Sequence, residues 1–396
     1  MNILEVNKYY YLHRGAERHF LDVIALFRNS GHKVAVFAMD DKRNVSREYE
    51  KYFVRYVGYN DDDSTAWQRL KGIGRLFWSF EARKKMTALL ETFQPDIVHI
   101  HNMYHQLSPA ILGPLKELRV PLVMTVHDYN LISPDKDAYY PEVGKHYFKF
   151  LFVKKYSLGK RILLVLKKYW EEWMGFYEKN IDHYIAPSVY VKNVLVRAGM
   201  PEAKITVVPH FIAGESQALR EMRGTERPFA LYCGSVSEEK HVNDLVAIFD
   251  TLRLPLTLAG TRADNFHVLS SRYVTVVGQQ SKEALADLMR QAACVVSASP
   301  LPETFGLLVL EAHAYGKPFF GLRSGAFPEI ITNGRDGYLG ESTEALKKYI
   351  ADFFSGKISF DAGNIQRDTY ERFGEARYLQ AIESLFRHLG ERKKRQ

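Results

Sequence analysis

Cysteine is nearly missing from this chain: of 396 residues only Cys233 and Cys294 carry a thiol, and both sit inside apolar, strand-like runs. That argues against a disulfide framework or a cysteine zinc site and makes a reducing compartment the default. No apolar run approaches the length that spans a bilayer. The start, Met1-Asn2-Ile3-Leu4-Glu5-Val6, has no basic leader or cleavage site and reads directly as a strand. Short-period repeats and low-complexity segments are lacking too. The expectation is a cytosolic protein, or one held peripherally on the inner face of the cell membrane.

Acidic residues are absent from one stretch in particular. Between Gly144 and Trp170 there is no Asp or Glu, while Lys145, Lys149, Lys154, Lys155, Lys160, Arg161, Lys167 and Lys168 give eight bases. The whole chain carries 54 − 46 = +8 formal charges, so its basicity is local and expected to face a partner. Phe148, Phe150, Phe152 and Tyr156 are interleaved with these bases. Farther on, Leu163, Val165 or Leu166, Tyr169, Trp170 and Trp173 recur at helical spacing, with Lys168, Glu171 and Glu172 opposite. Two readings stay open. The helix packs on its own sheet, or it docks on an anionic membrane through Lys154, Lys155, Lys160, Arg161, Lys167 and Lys168, where each base is worth roughly 1 kcal/mol. Basic and aromatic residues also suit nucleic acid, but no nucleic-acid motif accompanies them.

The chain is too long for one comfortable core, and its pattern divides in two. Strand signals at Asn2–Val6, Lys33–Ala38, Pro95–His101, Val120–Thr125, Ile181–Ala186 and Ile205–Val208 alternate with helical periodicity at Ala16–Asn29, across residues 69–93, and from the cap Ser188 to Arg197. A polar stretch at 214–227 marks a linker. The alternation then restarts with strands at Phe229–Cys233, Leu256–Ala259, Val274–Val277, Ala293–Ser297, Pro318–Leu322 and Tyr338-Leu339. Helices are predicted at His241–Leu252, Lys282–Gln291, Gly306–Tyr315, Thr343–Phe354 and Glu375–Leu389. The pattern predicts α/β architecture with two doubly wound parallel sheets: a domain over 1–213, a domain over 214–374, and a C-terminal helix with a basic tail over 375–396.

Chemistry concentrates at strand ends. After the apolar run Ala293–Ser297, Glu303 sits in a loop, the amides of Phe305, Gly306 and Leu307 open a helix, and Glu311 lies about two turns inside it. A helix N-terminus at the carboxyl end of a parallel strand is an anion site, and ligands of open sheets bind at that edge. The plain structural alternative is a capping acid and a solvated helix residue. Gly234, Ser235 and Lys240 follow another strand, which places an ammonium before another helix and suits a phosphate. The turns Gly325–Glu329 and Asn333–Gly337 read as supports for the helix behind the site. His99 and His101 alternate on one strand; His99 reads as structural, His101 as a cleft residue, and His105 stays undecided.

In this order, Gly234 with Lys240, Gly260, Gly278, Glu303 with Phe305-Gly306 and Glu311, Gly316-Lys317-Pro318, Gly325 with Pro328-Glu329, and Asn333-Gly334 with Gly337 resemble family 4 of the glycosyltransferases. Gly15-Ala16-Glu17, Gly31-His32, Pro95–His99 and His127-Asp128 extend the likeness through the first half. The resemblance implies a GT-B fold, two Rossmann-like domains facing across a cleft, and transfer of a sugar from a nucleotide-sugar donor with retention of anomeric configuration. It implies no bound metal and no cofactor, the nucleotide sugar being a substrate. Glu303 would bond the sugar's hydroxyls, Phe305, Gly306 and Leu307 would offer amides to sugar or diphosphate, and Glu311 would take the ribose. Lys240 would neutralise the leaving diphosphate, Val277 and Gly278 would read the base, and His127 would face the reacting sugar and acceptor. Ser235 replaces the family's usual arginine, and Arg14-Gly15 stands where a second glycine is common; Arg14 is expected to supply the missing charge. The setting expected is bacterial surface polysaccharide or lipopolysaccharide synthesis on a glycan or lipid-linked acceptor. A nucleotide-sugar epimerase of the same fold and a non-catalytic partner in an envelope assembly complex are the alternatives.

Overall fold

The structure is a computed structural model that describes residues 1–56, 74–214 and 228–395. It divides into two compact units, Met1–Val208 with the segment from Leu379, and Pro209–Tyr378. In the first unit, β1 (Asn2–Val6), β2 (Lys33–Phe37), β5 (Ile97–Ile100), β6 (Leu122–Thr125), β7 (His183–Ala186) and β8 (Ile205–Val207) form one parallel sheet in the order β2-β1-β5-β6-β7-β8. A separate short pair joins β3 (Met39–Asp40) to β4 (Val54–Arg55). The strands are runs of apolar and β-branched residues buried along nearly their whole length, as a parallel sheet covered on both faces requires. The second unit repeats the plan with β9 (Ala230–Cys233), β10 (Leu256–Ala259), β11 (Val274–Gly278), β12 (Cys294–Ser297), β13 (Phe319–Leu322) and β14 (Gly337–Gly340), in the order β11-β10-β9-β12-β13-β14. Strand order reverses between β1 and β5 in one sheet and between β9 and β12 in the other. At such a reversal successive loops diverge and leave a crevice at the carboxyl edge.

Helices begin where the sequence supplies a cap. Ser79, Ser188, Ser281 and Ser342 each accept from a backbone N–H three residues on, opening the helices Phe80–Thr92, Val189–Arg197, Lys282–Gln291 and Thr343–Phe354. A cap of this kind contributes about 1 kcal/mol. The predicted strands are all present. The helices Leu112–Glu117 and Ala362–Phe373 were not predicted. Residues 69–73 of the expected 69–93 helix, and all but Gly214 of the polar linker, lie outside the described residues. The last helix, Glu375–Lys394, runs through most of the basic tail. From Leu379 it completes the first unit: its Phe386 lies against Phe27 and His99, Glu383 bonds His32 at 2.8 Å, and Lys393 bonds Asp182 at 2.7 Å.

The basic segment is arranged differently from expectation. Leu158–Met174 is indeed a helix, ended by Gly175 in the left-handed region. It turns Lys167, Lys168 and Glu171 inward, where they are 1 %, 4 % and 3 % exposed. Glu171 pairs with both ammonium groups, and Lys168 also donates to the carbonyls of Asn130 (2.7 Å) and Leu131 (3.0 Å). Lys167 and Lys168 are therefore not surface cations. Lys155 is tied to Asp135 at 3.1 Å and Arg161 donates to the Leu151 carbonyl, while Lys154 and Lys160 remain exposed. The apolar side is inverted as well: Leu158, Ile162, Leu166, Tyr169 and Trp173 line one stripe that faces out, joined by exposed Phe148 and Phe152.

Burial alone would raise the Glu171 carboxyl, but Lys167 and Lys168 outweigh it and hold it below the ordinary value. A depressed folded-state pKa stabilises above the unfolded value, so this contribution is present at neutral pH and is lost as pH falls through the depressed pKa. Glu171→Ala strands two buried cations and is expected to lower stability by about 3–5 kcal/mol in urea unfolding. A loss under about 1 kcal/mol, the range of an exposed pair, would mean the lysines are solvated.

Candidate active site

The second unit gathers its polar groups at the carboxyl edge, on both sides of the β9/β12 reversal. After β9 come Gly234 and Ser235, both exposed, then Lys240 just before the helix Val242–Leu252. The end of β10 packs backbone on backbone. A Cβ on Gly260 would lie 1.7 Å from the Gly234 carbonyl oxygen, and the Gly260 N–H donates to the Gly278 carbonyl at 2.8 Å. These loops therefore form a shelf without side chains, which a flat or charged ligand can approach closely. The Val277 carbonyl accepts from the Gln280 side chain at 2.6 Å, so the carbonyls of Val277 and Gly278 already have partners.

After β12 the loop carries Glu303, then buried Phe305, then Gly306, which precedes the helix Leu307–Ala314 with Glu311 partly buried on it. Gly325 fixes this loop. A Cβ there would fall 2.3 Å from the Glu303 carbonyl oxygen and 2.4 Å from its nitrogen, and the Ala326 N–H donates to that carbonyl at 2.9 Å. Behind it, Arg372 donates to the carbonyls of Glu329 (2.7 Å) and Ile330 (3.1 Å), closing the short helix Phe327–Ile330. The Lys240 ammonium meets the Glu303 carboxylate at 2.6 Å, with the two side chains 29 % and 33 % exposed. An ion pair so open to water is worth about 0–1 kcal/mol, so an anionic or hydroxyl-bearing ligand can separate it cheaply. Burial pushes the neighbouring Cys233 thiol up to about 12, which keeps it out of nucleophilic chemistry at neutral pH.

The first unit places its own groups around the β1/β5 reversal. Arg14 and Gly15 are exposed at the start of the helix Gly15–Asn29, where Glu17 accepts from the Arg14 N–H at 3.2 Å. Burial raises Glu17 and Asp128 and lowers Lys8, but the opposite charge of Lys8 restrains both acids, so these three form one electrostatic group beside the loop after β1. His127 follows β6 and is 9 % exposed. His101, expected at the cleft, is instead 0 % exposed and lies one hydrogen bond behind His127, at 2.8 Å. His99 is buried between Glu5 and Thr125, and His105 is held low by burial while the Asn130 amide donates to it at 3.1 Å. Sequence reasoning missed Glu5. The available signal was a carboxylate in the middle of an apolar strand: Glu5 is 0 % exposed, and burial raises its pKa with His99 pulling it back.

The family model described as Glycosyltransferase Family 4 matches residues 13–214, and that described as Glycosyl transferases group 1 matches residues 218–378. An uncharacterized glycosyltransferase of Methanocaldococcus jannaschii is 20 % identical over 335 residues, covering 82 % of this chain and 83 % of its own. An Anabaena structure, HepE in complex with UDP-glucose, superposes with a TM-score of 0.63 at 18 % identity over 97 % of this chain and 99 % of that one. A lipopolysaccharide outer core galactosyltransferase superposes at 0.59, also 18 % identical, over 97 % and 99 %.

If Gly325 is what shapes the Glu303 loop, Gly325→Ala should lower the stability of the second unit by about 1–3 kcal/mol in urea unfolding. Gly159→Ala, on a helix with nothing within 4 Å of the added methyl, should instead stabilise by roughly 0.5–1 kcal/mol. Equal responses would remove the loop from this role.

Proposed function

The chain belongs to glycosyltransferase family 4, and on that premise we propose that it is a retaining enzyme moving a sugar from a nucleotide-sugar donor to a glycan or lipid-linked acceptor. The observation that carries the proposal is the Lys240–Glu303 pair at the strand reversal of the second unit, beside a bare-backbone shelf and a helix N-terminus. On binding, Lys240 turns to the diphosphate and frees Glu303 for the sugar's hydroxyls. Glu311 takes the ribose, and backbone near Val277 and Gly278 meets the base. Charge develops on the diphosphate as the glycosidic bond breaks, and a fixed ammonium with helix amides stabilises it there most. Since these groups supply the positive charge, the reaction runs without a divalent ion. Ser235 leaves one cation short, and Arg14 supplies it. His127 accepts a hydrogen bond from a sugar hydroxyl.

The acceptor setting we propose is bacterial surface polysaccharide or lipopolysaccharide, met at a membrane. Among the described residues no helix is long and apolar enough to cross a bilayer. The outward stripe of Leu158, Ile162, Leu166, Tyr169 and Trp173, with Phe148, Phe152 and exposed Lys154 and Lys160, supports insertion into an anionic interface. Lys160 itself stands 4.2 Å over the Tyr156 ring.

Release of a nucleoside diphosphate, followed over a panel of nucleotide sugars with crude lipid-linked acceptors, tests the reaction. Lys240→Ala should reduce turnover by about 100- to 1000-fold, roughly 2.7–4 kcal/mol of barrier, and proton NMR of the product should show the donor's anomeric configuration. Conversion of the donor to an epimeric nucleotide sugar with no diphosphate released would point to an epimerase, and donor binding without turnover to a non-catalytic partner. For the surface, Leu166→Ser with Trp173→Ser should abolish flotation with vesicles rich in anionic lipid, and unchanged flotation would exclude the stripe.

A further inference from the structure

Three turns of the first unit meet around a cavity that the chemistry at the strand ends leaves unused. Its walls come from the stretch 131–147, from the inner side of the helix Leu158–Met174 and from the short helix Phe176–Asn180. Tyr184 of β7 and the turn between the helix Val189–Arg197 and β8 complete it. Gly144, Gly175 and Gly199 all line the space, each at a positive φ, so the chain turns around it without filling it with side chains. The strands of a parallel sheet run one way, so the turn that leads into β8 lies at the amino edge, opposite the edge that carries His127. The cavity measures about 130 Å³. Since about 10–15 Å³ of such space holds one water, it has room for roughly ten groups of that size.

The lining balances its charges, and its bases are already committed. Lys145, Lys168 and Lys204 face the cavity together with Glu171, Glu172 and Glu178. Lys168 is held by Glu171 and two carbonyls, and Lys145 stands 3.4 Å from Glu172. Lys204 donates to the carbonyls of Glu178 (3.4 Å) and Ile181 (3.5 Å). Tyr139, Tyr147, Tyr177 and Tyr184 also line the space. Tyr177 and Tyr184 spend their hydroxyls within the protein, on Glu171 and on the Tyr177 carbonyl. Among the described residues no hydrogen bond serves the hydroxyl of Tyr139 or of Tyr147, and Tyr147 is only 6 % exposed. Burial first, and then the Glu172 and Glu171 carboxylates, push the Tyr147 hydroxyl above its ordinary value, so it keeps its proton to donate. A buried tyrosine hydroxyl ordinarily has a partner, and here the cavity is the place for one.

These features select among ligands. A phosphate would meet three acids and no spare ammonium. An acyl chain would cover the Tyr147 hydroxyl without pairing it and take the acids out of water, both at a cost in free energy. A pyranose ring fits: it is uncharged, its hydroxyls both donate and accept, and its C–H faces lie well against aromatic rings. Pockets of mostly apolar lining with a few placed polar groups hold such ligands. We infer that the cavity is a second carbohydrate site, which takes one neutral sugar residue away from the reacting edge. Tyr147 and Tyr139 bond its hydroxyls, and Glu172, 37 % exposed at the mouth, accepts from another. That this sugar belongs to the acceptor glycan rests on the transfer reading; the class of ligand does not. On that reading the site keeps hold of a finished part of the glycan while its end is extended at the opposite edge of the sheet.

Met200 lines the cavity, so its methyl signal reports occupancy. The full chain, labelled with carbon-13 at its methionine methyls, is titrated with the methyl glycosides of glucose, galactose and N-acetylglucosamine. Sodium octanoate and inorganic phosphate are titrated in parallel, and Met200→Leu assigns the signal. At least one glycoside is expected to shift Met200 saturably, and neither octanoate nor phosphate to do so. Tyr147→Phe, which keeps the ring and removes the hydroxyl, should weaken that binding roughly 3- to 10-fold. Tyr139→Phe is a second, less buried variant that decides the same point if Tyr147→Phe does not fold. A Met200 signal that no glycoside moves, or that octanoate or phosphate moves instead, would overturn the proposal, as would undiminished binding in both variants. A Met200 response in a protein that releases no diphosphate from any nucleotide sugar would uphold the site and remove only the transfer reading. Turnover with a silent Met200 would do the reverse.

Discussion

A parallel sheet covered on both faces leaves its polar chemistry one outlet, the edge where the strands end. Both units obey this constraint, and nearly everything distinctive about the chain follows from it. The strands themselves are buried runs. The loops that leave β9, β10 and β12 carry the glycines, the lysine and the carboxylates. Where backbones must touch, as at Gly260 against Gly234 and Gly325 against Glu303, the residue is glycine because a methyl would overlap a carbonyl oxygen. The site's shape is thus a by-product of how closely the loops must pack.

The exception inside the sheet is Glu5. Its cost in a buried strand is met because two rings saturate both oxygens, and those rings are bonded in turn. This arrangement is rigid because every link has a partner. The Lys240–Glu303 pair differs in kind: it is half-exposed and lightly held, as suits groups that must exchange each other for a ligand. One unit therefore offers a fixed hydrogen-bonding face and the other an adjustable one.

How far the sequence could be read depended on whether a signal was local. Ser188 announced its helix because a cap needs only the next three residues. The β12 loop was legible because the strand, the acid and the helix start are contiguous. The basic helix was misread for the opposite reason. Its apolar and charged stripes were both visible, but which one faced inward depended on Asn130 and Leu131, whose carbonyls draw in Lys168 from 38 and 37 residues away in sequence. Glu5 was opaque likewise, since its partners His99 and His101 lie on a strand 94 and 96 residues further along.

The C-terminal helix carries one more consequence, and it concerns synthesis on the ribosome. The second unit is inserted within the first, which regains the chain only from Leu379 onward. Phe386 covers the His99 ring, and Glu383 bonds His32 across 351 residues of sequence. The N-terminal sheet can form early, with Phe20 of the first helix on His101, but His99 stays without its Phe386 cover until the last residues emerge. Domains of a nascent chain generally fold in order from the N-terminus; here the unit that begins first must finish last, so a prematurely terminated chain would present a buried-charge network without its cover to the cell's proteases.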